Sequence, residues 1–173
     1  MSRLYHLSNG IAFVERWLCR GLILGFTVLL VTNAALRYGA GRPLYFAEEL
    51  AVLVLVWMGF LAISLSLHRG DQVRVTLLTD HLKPRAAALV ETAVQGLMAV
   101  ILAALLWSAV GWIGSPAVEF ERAIALDLPK APLFAIIPIF CATALIHTLA
   151  KLVKAASPLA GRPQGAQALE TAL

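Results

Sequence analysis

Residues 92–118, TAVQGLMAVILAALLWSAVGWIGSPAV, form a largely apolar run of 27 residues without a single Asp, Glu, Lys or Arg, and they decide the fold class. An α-helix rises about 1.5 Å per residue and a bilayer core is about 30 Å thick, so roughly 20 such residues span it. Three further charge-free runs have 16, 18 and 20 residues, and they are 21–36, 50–67 and 131–150. The sequence therefore predicts an all-α integral membrane protein with four transmembrane helices.

The composition supports this class and excludes others. Of the 173 residues 60% are hydrophobic and 14% are charged, and the mean hydropathy is +0.82. A soluble domain is typically about half apolar and about a quarter charged. The net charge of +4 forms no dense basic patch with stacking aromatics, so the sequence does not indicate nucleic-acid binding.

The lysines and arginines indicate how the helices are oriented. Ten of them flank one side of the predicted membrane domain and four flank the other, which by the positive-inside rule places both termini and the second loop in the cytoplasm. Residues 73–82 of that loop mix apolar and charged side chains, so we expect an amphipathic segment on the cytoplasmic face between helices 2 and 3. The membrane domain is predicted to cover residues 1–154. The tail, residues 155–173, is rich in Ala, Gly and Pro and is predicted to be disordered.

Several local features refine the helices. Glu15 and Arg16 interrupt the apolar pattern of residues 11–18, which is therefore assigned to an interfacial lead-in before helix 1. Helix 3 is predicted over residues 85–118, and helix 4 from near Pro132, with a kink at Pro138. Glu48 and Glu49 open helix 2. They either complement the helix dipole or pair with Arg37 or with a cation of a partner.

Inside the runs the polar side chains are few. Asn33, Gln95 and His147 are the main ones, and snorkelling or hydrogen bonding between helices accounts for them. A proton-coupled multidrug exporter needs a carboxylate within a helix, and a haem anchor needs axial histidines at membrane depth. Neither pattern is evident, and neither is a metal cluster or a nucleophile–base arrangement. The sequence thus predicts no enzyme and no cofactor on this chain, which has the character of a subunit.

An ordered set of short motifs sharpens this prediction. Asn33-Ala-Ala-Leu-Arg37-Tyr38 ends helix 1, and Pro43-Leu-Tyr-Phe-Ala-Glu48-Glu49-Leu50 opens helix 2. Val56-Trp57-Met-Gly59-Phe60 and Arg69-Gly-Asp-Gln-Val73-Arg-Val75 follow. Over residues 12–152 the chain resembles the small membrane subunit of tripartite ATP-independent periplasmic (TRAP) transporters, the DctQ family. It departs from the family at Phe46, where Trp is frequent, and at Asp71-Gln72, where the second residue is often His.

The resemblance implies a role in secondary transport across the bacterial inner membrane. A periplasmic binding protein would deliver an organic acid, such as a C4-dicarboxylate or sialic acid, to a large membrane subunit that moves it inward with sodium ions bound on that subunit. This chain would scaffold the large subunit. Its structural or partner-interface residues would be Asn33, Arg37, Tyr38, Glu48, Glu49, Trp57 and Arg69, the last as an anchor at the cytoplasmic surface.

Two other functions are compatible with four membrane helices. The chain could anchor a respiratory or other membrane enzyme, which predicts a soluble partner that carries the cofactor. It could also form a homo-oligomeric channel, although it has few polar residues to line a pore.

Overall fold

The computed structural model describes residues 2–70 and 84–156, and this part of the chain is almost entirely helical. Its elements in chain order are α1 (Ser2–Gly39), α2 (Ala47–Arg69), α3 (Pro84–Ile113), α4 (Pro116–Glu119), β1 (Arg122–Ala123), β2 (Leu128–Pro129), α5 (Lys130–Phe134) and α6 (Ile136–Ala156). Four spans within them are long and apolar enough to cross a membrane, and they are Leu4–Gly39, Ala47–Arg69, Arg85–Ile113 and Lys130–Ala156. The prediction of four membrane helices is thereby confirmed. The predicted amphipathic segment and the tail beyond residue 156 lie outside the described residues.

Helix α1 is longer than the sequence pattern predicts. It runs without interruption through its 38 residues, about 57 Å, so residues 11–18 belong to this helix and are not a separate lead-in. Such a length exceeds the hydrocarbon thickness, so the helix must tilt or project beyond it. The apolar side chains of the segment, among them Phe13 and Trp17, point outward, while Ser8, Ala12 and Glu15 form the buried face.

The turn from α1 to α2 follows from local sequence. Gly41 has φ +65°, a conformation that costs little only for glycine, and Pro43 lies close behind it. Helix α2 then begins with two glutamates in its first turn and ends with His68 and Arg69 before Gly70, a charge distribution that complements the helix dipole.

Proline residues set the boundaries after α3. Helix α3 ends at Ile113 because Ser115 precedes Pro116 and is held in an extended conformation, with φ −81° and ψ 147°. The predicted helix over residues 85–118 is therefore two helices, α3 and the short α4. Likewise, a break at Ala135 separates α5 from α6, because Pro138 offers no N–H to the carbonyl four residues earlier.

Between these helices the chain forms a small hairpin that the sequence analysis treats only as a loop. Arg122 pairs with Pro129 and Ala123 with Leu128 in an antiparallel ladder. A turn of four residues joins the strands, and its last residue, Asp127, has a positive φ of 49°.

Helix α6 organises the packing. It contacts α1, α2 and α3, whereas the contacts of α3 with the rest of the bundle are chiefly with α6. Leu67, Leu102 and Ala144 form the buried apolar core, against which Met98, Phe140 and Leu145 pack. Of the most apolar stretch in each span, 33% of the residues are buried in the last span, against 6% in the first and 11% in the third. The outer faces of α1 and α3 are thus the exposed surfaces of the bundle.

Candidate functional site

The site residues predicted from the sequence fall largely at one end of the bundle, which we name the loop end because the α1–α2 turn and the β1–β2 hairpin lie there. Asn33 is buried, and its Oδ1 accepts a hydrogen bond of 2.8 Å from the backbone N–H of Leu44. This bond attaches the turn to the side of α1 and satisfies a polar side chain that would otherwise face hydrocarbon.

Arg37 and Glu48 form an exposed ion pair across the same turn. Nη1 of Arg37 lies 3.4 Å from Oε1 of Glu48, and the two side chains are 55% and 76% exposed. A pair in this setting contributes at most about 1 kcal/mol. Tyr38 lies beside it in sequence and is exposed, as is Tyr45 of the turn.

Glu49 makes the most extensive contacts of the seven predicted residues. Its carboxylate accepts hydrogen bonds from the N–H groups of Ile124, Ala125 and Leu126, at 3.1, 2.7 and 3.1 Å. Three successive N–H groups converging on one anion form the kind of concavity that binds anions in many proteins. Here a side chain of the same chain occupies it, so Glu49 fixes the hairpin to the start of α2.

The hairpin has its own ionic contacts. Arg122 pairs with Asp127 at 3.1 Å and also donates to its carbonyl oxygen at 2.8 Å. Lys130 pairs with Glu121 at 3.4 Å, and its N–H bonds to the carbonyl of Glu121 at 2.9 Å. The turn that Glu49 holds is therefore preformed by local contacts.

Trp57 joins α2 to the break between α5 and α6. Its indole Nε1 donates a hydrogen bond of 2.9 Å to the carbonyl oxygen of Leu133, two residues before the break at Ala135. Carbonyl groups near such a break lack their usual helical donors, so a side-chain donor stabilises them.

Arg69 is remote from the other six residues. It lies in the last turn of α2, at the opposite end of the bundle, and lines a shallow groove of about 260 Å³ between α1 and α2. The remaining lining residues are Cys19, Ile23, Met58, Ala62, Leu65 and Ser66.

That opposite end, which we name the terminal end, contains a buried polar cluster that the sequence analysis missed. We define the polar cluster as Ser8 and Glu15 of α1, Ser64 and His68 of α2, and Thr143 and His147 of α6. His147 Nε2 lies 3.3 Å from Glu15 Oε2, with side chains 0% and 4% exposed. Ser64 Oγ donates to Glu15 Oε1 at 2.7 Å and lies 3.1 Å from Thr143 Oγ1.

The cluster continues from His147 to a second histidine. Ser8 Oγ lies 2.7 Å from His147 Nδ1 and 3.1 Å from His68 Nδ1, and the two imidazole rings contact edge to face with centroids 4.9 Å apart. Ser8 lies within hydrogen-bonding distance of both histidines and is 3% exposed, so the arrangement is a buried hydrogen-bond network and not an accessible nucleophile. The sequence does carry a signal for it: Ser8, Ala12 and Glu15 recur at helical spacing on one face.

The other predicted intramembrane polar residues also hydrogen-bond within the chain. Gln95 is buried and donates to Glu91 at 3.0 Å, while His147 is part of the polar cluster. Among residues 2–70 and 84–156, no group of three or more His, Cys, Asp or Glu side chains could hold a metal ion. Glu15, Ser64 and His147 therefore link three helices, whereas the bond between Gln95 and Glu91 lies within α3.

Four helices that are long and apolar enough to cross a membrane, with exposed apolar outer faces, define a small helical membrane protein. Residues 26–157, about three quarters of the chain, match the family model described as "Tripartite ATP-independent periplasmic transporters, DctQ component". The chain belongs to this family and is a multi-pass protein of the bacterial inner membrane.

A relative gives the same indication over a shorter stretch. The chain is 28% identical over 74 residues to a Haemophilus influenzae protein whose name describes it as a TRAP transporter small permease. This alignment covers 43% of the present chain and 46% of the relative, so the chain spans about half the length of the relative that it matches. The family is one of transporter components and not of enzymes.

Proposed function

We propose that this chain is the small membrane subunit of a TRAP transporter and scaffolds a large transport subunit during sodium-coupled uptake of an organic acid. A C4-dicarboxylate or sialic acid, delivered by a periplasmic binding protein, has the required chemistry. The observation that carries this proposal is a contrast: the buried side chains of Glu15, Asn33 and His147 form hydrogen bonds within the chain, whereas the outer faces of α1 and α3 expose long apolar surfaces. In this proposal the substrate and sodium sites lie on the large subunit, and this chain carries no cofactor and catalyses no reaction.

The loop end supports a scaffold role. Glu49 and Trp57 connect elements that are distant in sequence, Asn33 attaches the α1–α2 turn to α1, and Arg37 with Glu48 adds a surface pair. A preformed end of this kind provides a fixed surface beside a subunit that moves, as alternating access requires.

Tyr38 and Tyr45 would lie at the level of the lipid headgroups, where aromatic residues are enriched. With the basic residues placed inside, the loop end faces the periplasm, and Arg69 at the terminal end anchors the cytoplasmic side.

Helix α1 offers the closest approach to a partner helix. Gly21 and Gly25 are four residues apart on its exposed face, and no heavy atom lies within 4 Å of a Cβ built at either. Small residues at this spacing allow helices to pack with their backbones close together. We therefore assign this face of α1 to the contact with the large subunit.

A substitution with a matched control tests this assignment. Gly25→Leu fills the close-approach site, whereas Gly111→Leu introduces the same side chain at an exposed and equally open glycine of α3. We expect Gly25→Leu to reduce co-purification of the large subunit at least several-fold and Gly111→Leu to leave it unchanged. Equal recovery with both variants would refute the α1 assignment.

The scaffold role itself is tested by reconstituting the large subunit in proteoliposomes with and without this chain. We expect sodium-driven uptake to be lost when the small subunit is omitted.

The structure argues against one alternative function, that of an enzyme's membrane anchor that binds haem between two histidines. His68 and His147 contact each other directly, so a porphyrin does not fit between the two rings as it would between axial ligands.

A further inference from the structure

We propose that the polar cluster at the terminal end is a proton-binding site, in which His147 takes up a proton beside Glu15 through a relay formed by Ser8 and His68. This goes beyond the scaffold role and rests on the geometry of the cluster alone. Proton occupancy would strengthen the attachment of the N-terminal half of α1 to α6.

The distances define a continuous chain of hydrogen bonds. Ser64 donates to the Glu15 carboxylate, so the second carboxylate oxygen accepts from His147 Nε2–H. His147 Nδ1 is then an acceptor and receives the Ser8 hydroxyl proton over 2.7 Å. Ser8 in turn accepts from His68 Nδ1–H over 3.1 Å. In this first state both histidines are neutral, and Glu15 is a buried anion.

A second state satisfies the same bonds in the opposite direction. A proton that binds Nε2 of His68 lets the Nδ1 proton of His68 pass to Ser8, while the hydroxyl proton of Ser8 passes to Nδ1 of His147. His147 then carries protons on both nitrogens, and His68 is left neutral with its proton on Nε2. Nδ1–H of His147 now donates to Ser8, and Ser8 donates to Nδ1 of His68. One proton has entered, and no donor or acceptor of the relay has lost its partner.

The surrounding charges favour this destination. A buried carboxylate without a counter-charge is costly, and an imidazolium 3.3 Å away makes the pair neutral. The ionisable groups that act on the cluster from outside it are Arg16 and Cys19 of α1 and Lys151 of α6. The Glu15 carboxylate lies 3.3 Å from His147 Nε2, so its charge favours a proton on His147.

The entry point is on the less buried side of the cluster. His68 is half-buried in the last turn of α2, whereas His147 is 1% exposed and Ser8 is 3% exposed. A proton therefore reaches His147 most directly through His68 and Ser8.

Nitrogen-15 NMR of the full chain, labelled at histidine and held in lipid nanodiscs, tests the proposal, because the two ring nitrogens report tautomer and charge separately. In a titration from alkaline to acidic pH, we expect His147 to change from protonated on Nε2 alone to protonated on both nitrogens. His68 should exchange its Nδ1 proton for an Nε2 proton over the same interval. The exposed His6 serves as an internal reference.

Two variants separate the relay from a structural role. Ser8→Ala removes the link, so the two histidines should titrate independently, and Ser108→Ala, at an exposed position of α3, should leave both curves unchanged. Glu15→Gln should keep His147 neutral across the range. If His147 stays singly protonated in the unmodified chain, or if Ser8→Ala changes neither histidine, the proposal is wrong. Ser8→Ala decides the matter even if Glu15→Gln does not fold.

Discussion

Two glutamates hold the two ends of this bundle in opposite ways. Glu49 at the loop end is only partly buried and accepts three hydrogen bonds from backbone N–H groups of a hairpin turn. Glu15 at the terminal end is 3% exposed, and its partners are the side chains of His147 and Ser64. Backbone donors do not titrate, so the donor side of the attachment at Glu49 has a single state. A histidine partner can gain a proton, so the attachment at Glu15 has two states in our proposal.

The largest difference between the ends should appear when each carboxylate is deleted. Glu15→Ala removes the hydrogen bonds that the buried carboxylate accepts from His147 and Ser64, and we expect it to lower the free energy of unfolding by about 2–3 kcal/mol. Thermal unfolding of the purified full chain in a mild detergent would measure this. Glu119→Ala, at an exposed position of α4, is the control, and equal unfolding temperatures for the two variants would contradict a stabilising buried pair.

A smaller effect is expected at the loop end. Glu49→Ala removes three hydrogen bonds to a charged group, but water can replace part of them, so the expected cost is roughly 1–2 kcal/mol. Amide hydrogen exchange at Ile124, Ala125 and Leu126 should accelerate in this variant. Glu48→Ala, which breaks only the exposed pair with Arg37, should leave that exchange as it is. Unchanged exchange in Glu49→Ala would show that the hairpin does not depend on this carboxylate.

The smallest of the three effects concerns Trp57, which lies between the two ends. Trp57→Phe keeps the aromatic ring but removes the donor to the Leu133 carbonyl, and we expect a loss of about 1 kcal/mol. Trp107→Phe is the matched control, because Trp107 is 84% exposed. Thermal unfolding of both variants measures the loss. If Trp107→Phe lowers the free energy of unfolding as much as Trp57→Phe does, the hydrogen bond to Leu133 does not account for the effect.

The sequence predicted the loop end better than the terminal end, for a physical reason. The spans were evident because long apolar runs have few alternatives to a membrane helix, and Glu49 lies in a local motif at the start of α2. Glu15 instead interrupts an apolar pattern, and nothing local tells that His147, 132 positions later, would pair with it. Helix α1 continues through the predicted lead-in and buries that charge against α2 and α6.

The short elements were also beyond the sequence pattern. The hairpin has only two residues in each strand, and it depends on Glu49 and on the ionic contacts of Arg122, which are tertiary or turn-specific. The boundaries at Ser115 and Ala135 come from the prolines that follow them, and this rule could have been applied to the sequence directly. The scaffold and interface roles of the seven predicted residues stay predictions, although the structure gives six of them a place at or near the loop-facing half of the bundle.

The most direct test of the scaffold proposal is to purify the tagged chain from its native membranes in mild detergent and to identify its partners by mass spectrometry with measured stoichiometry. The proposal predicts one equivalent of a polytopic protein with many more membrane helices, and sodium-driven uptake of an organic acid when that complex is reconstituted with its binding protein. Recovery of a soluble redox or hydrolytic enzyme, or of the chain alone as a stable oligomer that conducts ions, would contradict it.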